Sequence, residues 1–253
     1  KTNALAHVAL GVRALKARQF ERAQRSFDRA GGTTREPDLT IALLRAWAQL
    51  GAGDVGGALQ SVDRFKDNEL RGYRDFFGGL MADLGKRPGD AENRLASAYK
   101  ADGSILRVTD AYARMLSRRA KPAEAKEVVA KWRSTHPNQP YLDRQFQALE
   151  KGEMLPPLVT SVAEGAAEVF YGLGAVGSAS RDPMTAIIYL QLARHLAPKD
   201  EVIAITLGEL FEQLRQNARA AELYETIPAT SPLANRAAIG RAAALERLEK
   251  SDE

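Results

Sequence analysis

Six alanines recur through this sequence at nearly constant intervals: Ala23, Ala58, Ala91, Ala125, Ala186 and Ala220, separated by 35, 33, 34, 61 and 34 residues. Each lies in a stretch whose apolar residues fall three and four apart, the pattern of an amphipathic helix. A small residue returning about every 34 positions inside helical sequence predicts a solenoid of helix pairs, each packed on its neighbours alone. Such an array grows as one unit, so a length of 253 residues does not by itself set a domain count.

Proline keeps the same time. Pro88, Pro122 and Pro183 each stand three residues before a marker alanine. That is the first turn of the second helix of a pair, where a missing N–H costs nothing and a fixed φ helps. Asp182, ahead of Pro183, suits an N-cap. Pro137, Pro198 and Pro232 each stand twelve residues after a marker, a place predicted to lie just past the end of that helix.

The residues between the markers repeat as well. Leu10-Gly11, Phe20, Ala23, Phe27 and Ala30 describe two helices joined by a turn near Arg18-Gln19. Phe170, Leu173, Gly174, Ala186, Leu190, Ala193 and Pro198 follow the same scheme, as do Leu207, Gly208, Phe211, Ala220, Tyr224 and Pro232. This order resembles the tetratricopeptide repeat: aromatic, Leu-Gly, aromatic, Ala, aromatic, Ala, Pro. The middle copies keep less of it. One retains Ala46, Gly53 and Ala58 but has Phe65 where Ala is usual; another retains Ala113, Ala125 and Pro137 but has Trp132 there. The resemblance implies an all-α fold, an α-solenoid of antiparallel helix pairs wound as a right-handed superhelix.

The beat breaks once. From Ala125 to Ala186 the interval falls seven residues short of two repeats. Residues 139–151, with Tyr141, Leu142, Phe146 and Leu149, predict one extra helix. Gly152 and Leu155-Pro156-Pro157-Leu158 then interrupt it, because paired prolines do not sit in a helix interior. The expected organisation is four repeats over 1–137, an extra helix and Pro-Pro connector over 138–164, and two repeats plus a terminal helix (234–248) over 165–253, in one continuous superhelix. The terminal helix reads either as a cap or as an ordinary first helix cut from its partner. The connector, with Gly165-Ala166-Ala167-Glu168 and Tyr171-Gly172-Leu173-Gly174, resembles a segment of long bacterial tetratricopeptide-repeat proteins, several of them exported. That likeness implies a periplasmic or cell-envelope location, with the cytoplasm as the alternative. No signal peptide is visible, and a start at Lys1-Thr2-Asn3 without methionine reads as an excised or processed piece.

Little in the sequence suggests reaction chemistry. There is no cysteine, which excludes disulfides, thiolate nucleophiles and cysteine-based zinc sites. No apolar run reaches the about 20 residues of a membrane-spanning helix. Gly172, Gly174 and Gly177 satisfy G-x-G-x-x-G, but a dinucleotide site needs those glycines between a strand and a helix, and here they fall in phase with Leu10-Gly11 inside helical sequence. His7, His136 and His195 share no spacing that suits a metal site or a triad. No catalytic residue, cofactor or metal is predicted, and the chain does not read as an enzyme. The net charge is +4 and unevenly spread: residues 1–30 carry seven Lys/Arg against two acids, residues 199–253 seven against ten. Basic residues diluted by acids and not interleaved with aromatics do not predict nucleic-acid binding.

The resemblance places a ligand groove on the concave face, lined by the first helix of each pair. In the fourth repeat Arg107, Asp110, Arg114, Ser117 and Arg118 share one helical stripe, whose arginines suit an acidic peptide or a terminal carboxylate. The competing reading is a solvated face with Asp110–Arg114 pairing. In the second and third repeats the equivalent stripe is apolar, with Leu43, Trp47 and Leu50, then Tyr73, Phe76 and Leu80; here the competing reading is that the array covers these residues itself. The carboxylate clamp of some family members is not expected, because its first-repeat positions hold Val8 and Val12. The expected function is a non-enzymatic scaffold that binds a protein or peptide, acidic with a hydrophobic anchor. The alternative is a structural subunit of a bacterial cell-envelope complex that works by self-association, as a homo-oligomer or through end-to-end contacts. If the markers sit at close helix crossings, Ala220→Leu overpacks one of them, and urea unfolding should report a loss of about 1–3 kcal/mol.

Overall fold

The computed structural model describes residues 4–31, 38–65, 69–137, 139–179 and 182–249. Lys1-Thr2-Asn3 and Asn138 lie outside the described residues. Among the described residues all regular structure is helical. Four pairs come first: α1 (Ala4–Lys16) with α2 (Phe20–Gly31), α3 (Leu39–Gly51) with α4 (Val55–Asp63), α5 (Arg71–Leu84) with α6 (Pro88–Ala101), and α7 (Leu106–Arg118) with α8 (Pro122–Thr135). A 3₁₀ turn (Pro140–Leu142) leads into α9 (Asp143–Glu150), the extra helix. Then follow α10 (Val162–Ala179), α11 (Pro183–Leu196), α12 (Glu201–Gln213), α13 (Asn217–Glu225) and α14 (Ala234–Glu249). From α1 to α9 each helix packs on the next, and α11 to α14 do the same. The chain divides into two compact units, Lys1–Ala166 and Ala167–Glu253.

The six marker alanines lie at one site in each pair, and none has exposed surface. Twelve residues before each marker, on the partner helix, stands a second small residue: Gly11, Ala46, Gly79, Ala113, Gly174 and Gly208. Four residues after each marker comes the side chain at the crossing: Phe27, Val62, Leu95, Val129, Leu190 and Tyr224. The two series compensate. Glycine stands where that side chain is large, and alanine where it is valine. A Cβ at Gly11 would overlap the Phe27 ring; at Gly79 it would come 2.7 Å from Leu95, at Gly174 2.5 Å from Leu190, and at Gly208 2.7 Å from Tyr224. Interior packing at crystal-like density requires this exchange of volume. Tyr224 is held from a second side by Gly240, where a Cβ would also come 2.7 Å from the ring. Its hydroxyl donates to Glu212 Oε2 at 2.5 Å. Burial, and then that carboxylate, push the phenol well above its usual range.

The turns inside the pairs share a feature that the composition conceals. Arg18, Gly53, Lys86, Ala120 and Arg215 all have positive φ, between 57° and 93°, and each stands five residues before its marker. The N–H of the following residue reaches back into the first helix, as in Gln19 to Ala14 O at 2.8 Å, Arg87 to Ala82 O at 2.8 Å and Gln216 to Phe211 O at 2.8 Å. This is the Schellman arrangement, which satisfies carbonyls left over at a helix end. One of these five residues is glycine, so sequence alone gives little hint of the turn. The equivalent residue before Ala186, Arg181, lies outside the described residues.

The proline phases hold in five places of six. Pro88, Pro122 and Pro183 open α6, α8 and α11, and the Asp182 carboxylate accepts the Thr185 N–H at 3.2 Å. Pro137 and Pro198 follow α8 and α11 directly. Pro232 instead lies in the loop before α14, seven residues past the end of α13. Pro228 accounts for the early stop, because the residue before a proline is pushed out of the helical region.

A left-handed alanine costs about 1–2 kcal/mol, and glycine's greater freedom in the unfolded chain returns about 0.5–1 kcal/mol of that. Ala120→Gly should therefore raise the stability of the chain by about 0.5–1 kcal/mol, seen as a higher urea midpoint with an unchanged slope.

Candidate functional site

The break in the repeat is where side chains other than packing ones converge. After α9 the chain turns at Gly152, whose φ is +75°, and runs without helix until α10 begins at Val162. Pro156 and Pro157 keep it extended. Leu155 is buried in a cluster with Leu116, Val129, Trp132, Leu142 and Leu149, so the segment is sewn to α7, α8 and α9. Its main chain is held too. The Leu155 N–H donates to Ser117 Oγ at 3.0 Å, and Arg114 Nη1 donates to the Pro156 carbonyl at 3.1 Å. Asp110 aims the arginine by accepting from its Nε at 2.7 Å, and also accepts from Gln145 Nε2 of α9 at 3.1 Å.

The far end of the segment is fixed by a helix start. The Thr160 N–H and hydroxyl donate to Glu164 Oε2, each at 2.7 Å, and the Glu164 N–H donates to Ser161 Oγ at 3.2 Å. This is a variant of the capping box in which the carboxylate reaches the residue before the Ser161 cap. One turn later Gly165 lies against the indole of Trp47, so closely that a Cβ would overlap the ring. Trp47 has no exposed surface.

The predicted stripe is therefore real as a stripe and occupied by this chain's own residues. Arg114 and Ser117 hold the connector. Arg118 makes a two-pronged pair with Asp83 of α5, Nη1 to Oδ1 at 2.8 Å and Nη2 to Oδ2 at 2.5 Å. Arg107 and Asp110 are buried. Of the apolar candidates, Trp47 and Phe76 are buried, Phe76 packing edge-on to Phe77 with centroids 5.1 Å apart, whereas Tyr73 stands 41% exposed. Two expectations change in consequence. Arg114 and Arg118 are not free cations awaiting an acidic ligand, because each already holds an aspartate. Trp47 and Phe76 do not present an open apolar patch, because the chain covers them. Asp83, Gln145, Leu155, Pro156 and Gly165 were not anticipated as members of the site. The available signals were an aspartate 35 residues before Arg118, one repeat away, and a Pro-Pro pair flanked by leucines in an otherwise helical chain.

The remaining motifs resolve simply. Gly172 and Gly174 lie within α10, and Gly174 faces Leu190, so the glycine pattern marks a helix crossing and not a phosphate loop. His136 ends α8 and stacks on Trp132 with ring centroids 4.2 Å apart. Among the described residues no cluster of three or more His, Asp or Glu could hold a metal ion, and no helix is long and apolar enough to cross a membrane.

These are tetratricopeptide-like helix pairs. No family model matches the sequence, and no curated protein matches it. Solved structures do align. A tetratricopeptide repeat protein from Parabacteroides merdae is 14% identical over 96% of this chain and 84% of its own, with TM-score 0.43. The TPR2AB domain of yeast Sti1, solved as a pHSP90 complex, is 16% identical over 99% of this chain and 98% of its own, with TM-score 0.40. Cut9, from a complex with Hcn1, is 14% identical with TM-score 0.42, and this chain spans 43% of its length.

Removing the Leu155 side chain should leave a cavity beside Trp132. Leu155→Ala is expected to lower stability by about 2–5 kcal/mol and to shift Trp132 emission to the red, measured together in a urea titration.

Proposed function

We propose that this chain is a non-enzymatic protein-interaction scaffold whose α7 face accepts an extended protein segment. The observation that supports this reading is the connector itself. Arg114 and Ser117 grip an extended, proline-bearing stretch by one main-chain carbonyl and one main-chain N–H, while Leu155 fills an apolar socket. Main-chain hydrogen bonds with an anchored side chain are the usual means of binding an extended peptide. The recognition chemistry at this face is thus that of a peptide backbone and an apolar anchor, with the charges of Arg114 and Arg118 spent on Asp110 and Asp83. A partner segment would take the place of the connector, whose covalent tether gives it an effective concentration in the millimolar range.

A direct test replaces residues 152–161 with a glycine–serine linker of equal length and adds the deleted segment back as a synthetic peptide. The altered chain should bind the peptide saturably, reported by Trp132 fluorescence, and the original chain should not respond. A linker-bearing chain that keeps its helical circular dichroism but ignores the peptide would overturn the proposal.

A further inference from the structure

The arginines of this protein are mostly engaged. Arg45 holds Asp28, Arg94 holds Asp63, Arg118 holds Asp83 and Arg133 holds Asp143. The first helix pair departs from this habit. Arg13, Arg18, Arg25 and Arg29 hold no carboxylate among the described residues, and Arg22 reaches only the carboxamide of Gln19, at 3.3 Å. Of the two acids nearby, Asp28 is taken by Arg45 at 2.7 Å, which leaves Glu21 against these cations.

Their placement gives the surplus charge a form. Arg22, Arg25 and Arg29 follow one another along one face of α2 at intervals of three and four residues, with Ser26 among them. With Leu10 of α1 these four residues line a groove of about 240 Å³. Leu10 is 41% exposed and Leu5, earlier on the same helix, 46%. The exposed Leu10 is thus flanked by guanidinium groups that hold no carboxylate among the described residues.

From this geometry we infer that the α1–α2 groove docks an acidic protein segment carrying one apolar anchor. The anchor meets Leu10, and carboxylates three to four residues apart along a helix meet Arg22, Arg25 and Arg29. Guanidinium groups pair two-pronged with carboxylates, and their i, i+3, i+7 ladder matches the spacing of acids on one face of a partner helix. Two other polyanions fit less well. Among the described residues the groove is lined by no aromatic ring, which a single-stranded nucleic acid would use for stacking. The apolar face of α2, with Ala23 and Phe27, is turned into the core, so the basic ridge has no apolar side to insert into a bilayer. This surface is independent of the α7 face, and either can fail without the other.

The experiment measures binding of a short synthetic helical peptide with glutamates at i, i+3 and i+7 around one leucine. Its controls are the same peptide with serine for leucine, phosphatidylserine vesicles and a single-stranded oligonucleotide. The leucine peptide should bind best, and its affinity should fall as salt rises from about 50 to 300 mM. Arg25→Glu with Arg29→Glu should weaken it about tenfold or more. Leu10→Ser should remove the preference for leucine over serine. All three positions are exposed, so helical circular dichroism should not change. Equal binding by the double reversal, no saturable binding by the parent chain, or a preference for vesicles or oligonucleotide over the leucine peptide would overturn the inference.

Discussion

Everything in this fold depends on one close approach: the crossing of the two helices within a pair. At that crossing one helix offers a glycine or alanine and the other a marker alanine with a bulky neighbour one turn away. Because both backbones come near, the energy there is set by fit and not by hydrophobicity alone. The period of about 34 residues is the footprint of that contact, repeated. The αL turn five residues before Ala23, Ala58, Ala91, Ala125 and Ala220 serves the same end, since it fixes where the second helix starts relative to the first.

Much of this was legible before any coordinates. The alanine and proline phases located the helix pairs, because both residues are confined by backbone geometry that local sequence records directly, and the apolar spacing of Tyr141, Leu142, Phe146 and Leu149 pointed to the extra helix. What was hidden has physical reasons. Gly79 escaped notice because a second glycine stands beside it and the middle repeats carry weak consensus. The turn residues Arg18, Lys86, Ala120 and Arg215 were invisible because tertiary packing imposes the left-handed conformation on residues that do not prefer it. Pro232 misled because a nearer proline, Pro228, acts first.

The stripe on α7 shows a different limit. Spacing correctly put Arg107, Asp110, Arg114, Ser117 and Arg118 on one helix face, since 3.6 residues per turn is a local rule. Spacing could not say what that face meets. The partners of Arg114 and Ser117 lie some 40 residues downstream, and that of Arg118 lies one repeat upstream. Long-range occupancy of this kind is a property of the folded chain. For Arg114 and Ser117 the hint was the stretch least like a repeat, where extended backbone had to find hydrogen-bond partners outside a helix.

The matched volumes at the crossings also bear on how such an array can change over time. Tyr224 fits because Gly208 leaves room for it, and Val62 stands at the same place as a smaller residue opposite Ala46. Exchanging second helices between those pairs would put a ring where a methyl already stands, and leave a void in the other. A recombination point inside a pair is therefore costly, whereas one between pairs preserves each match. The unit this protein can duplicate, delete or borrow is the pair with its turn, and a break such as the one after Ala125 is tolerated because it falls outside a pair.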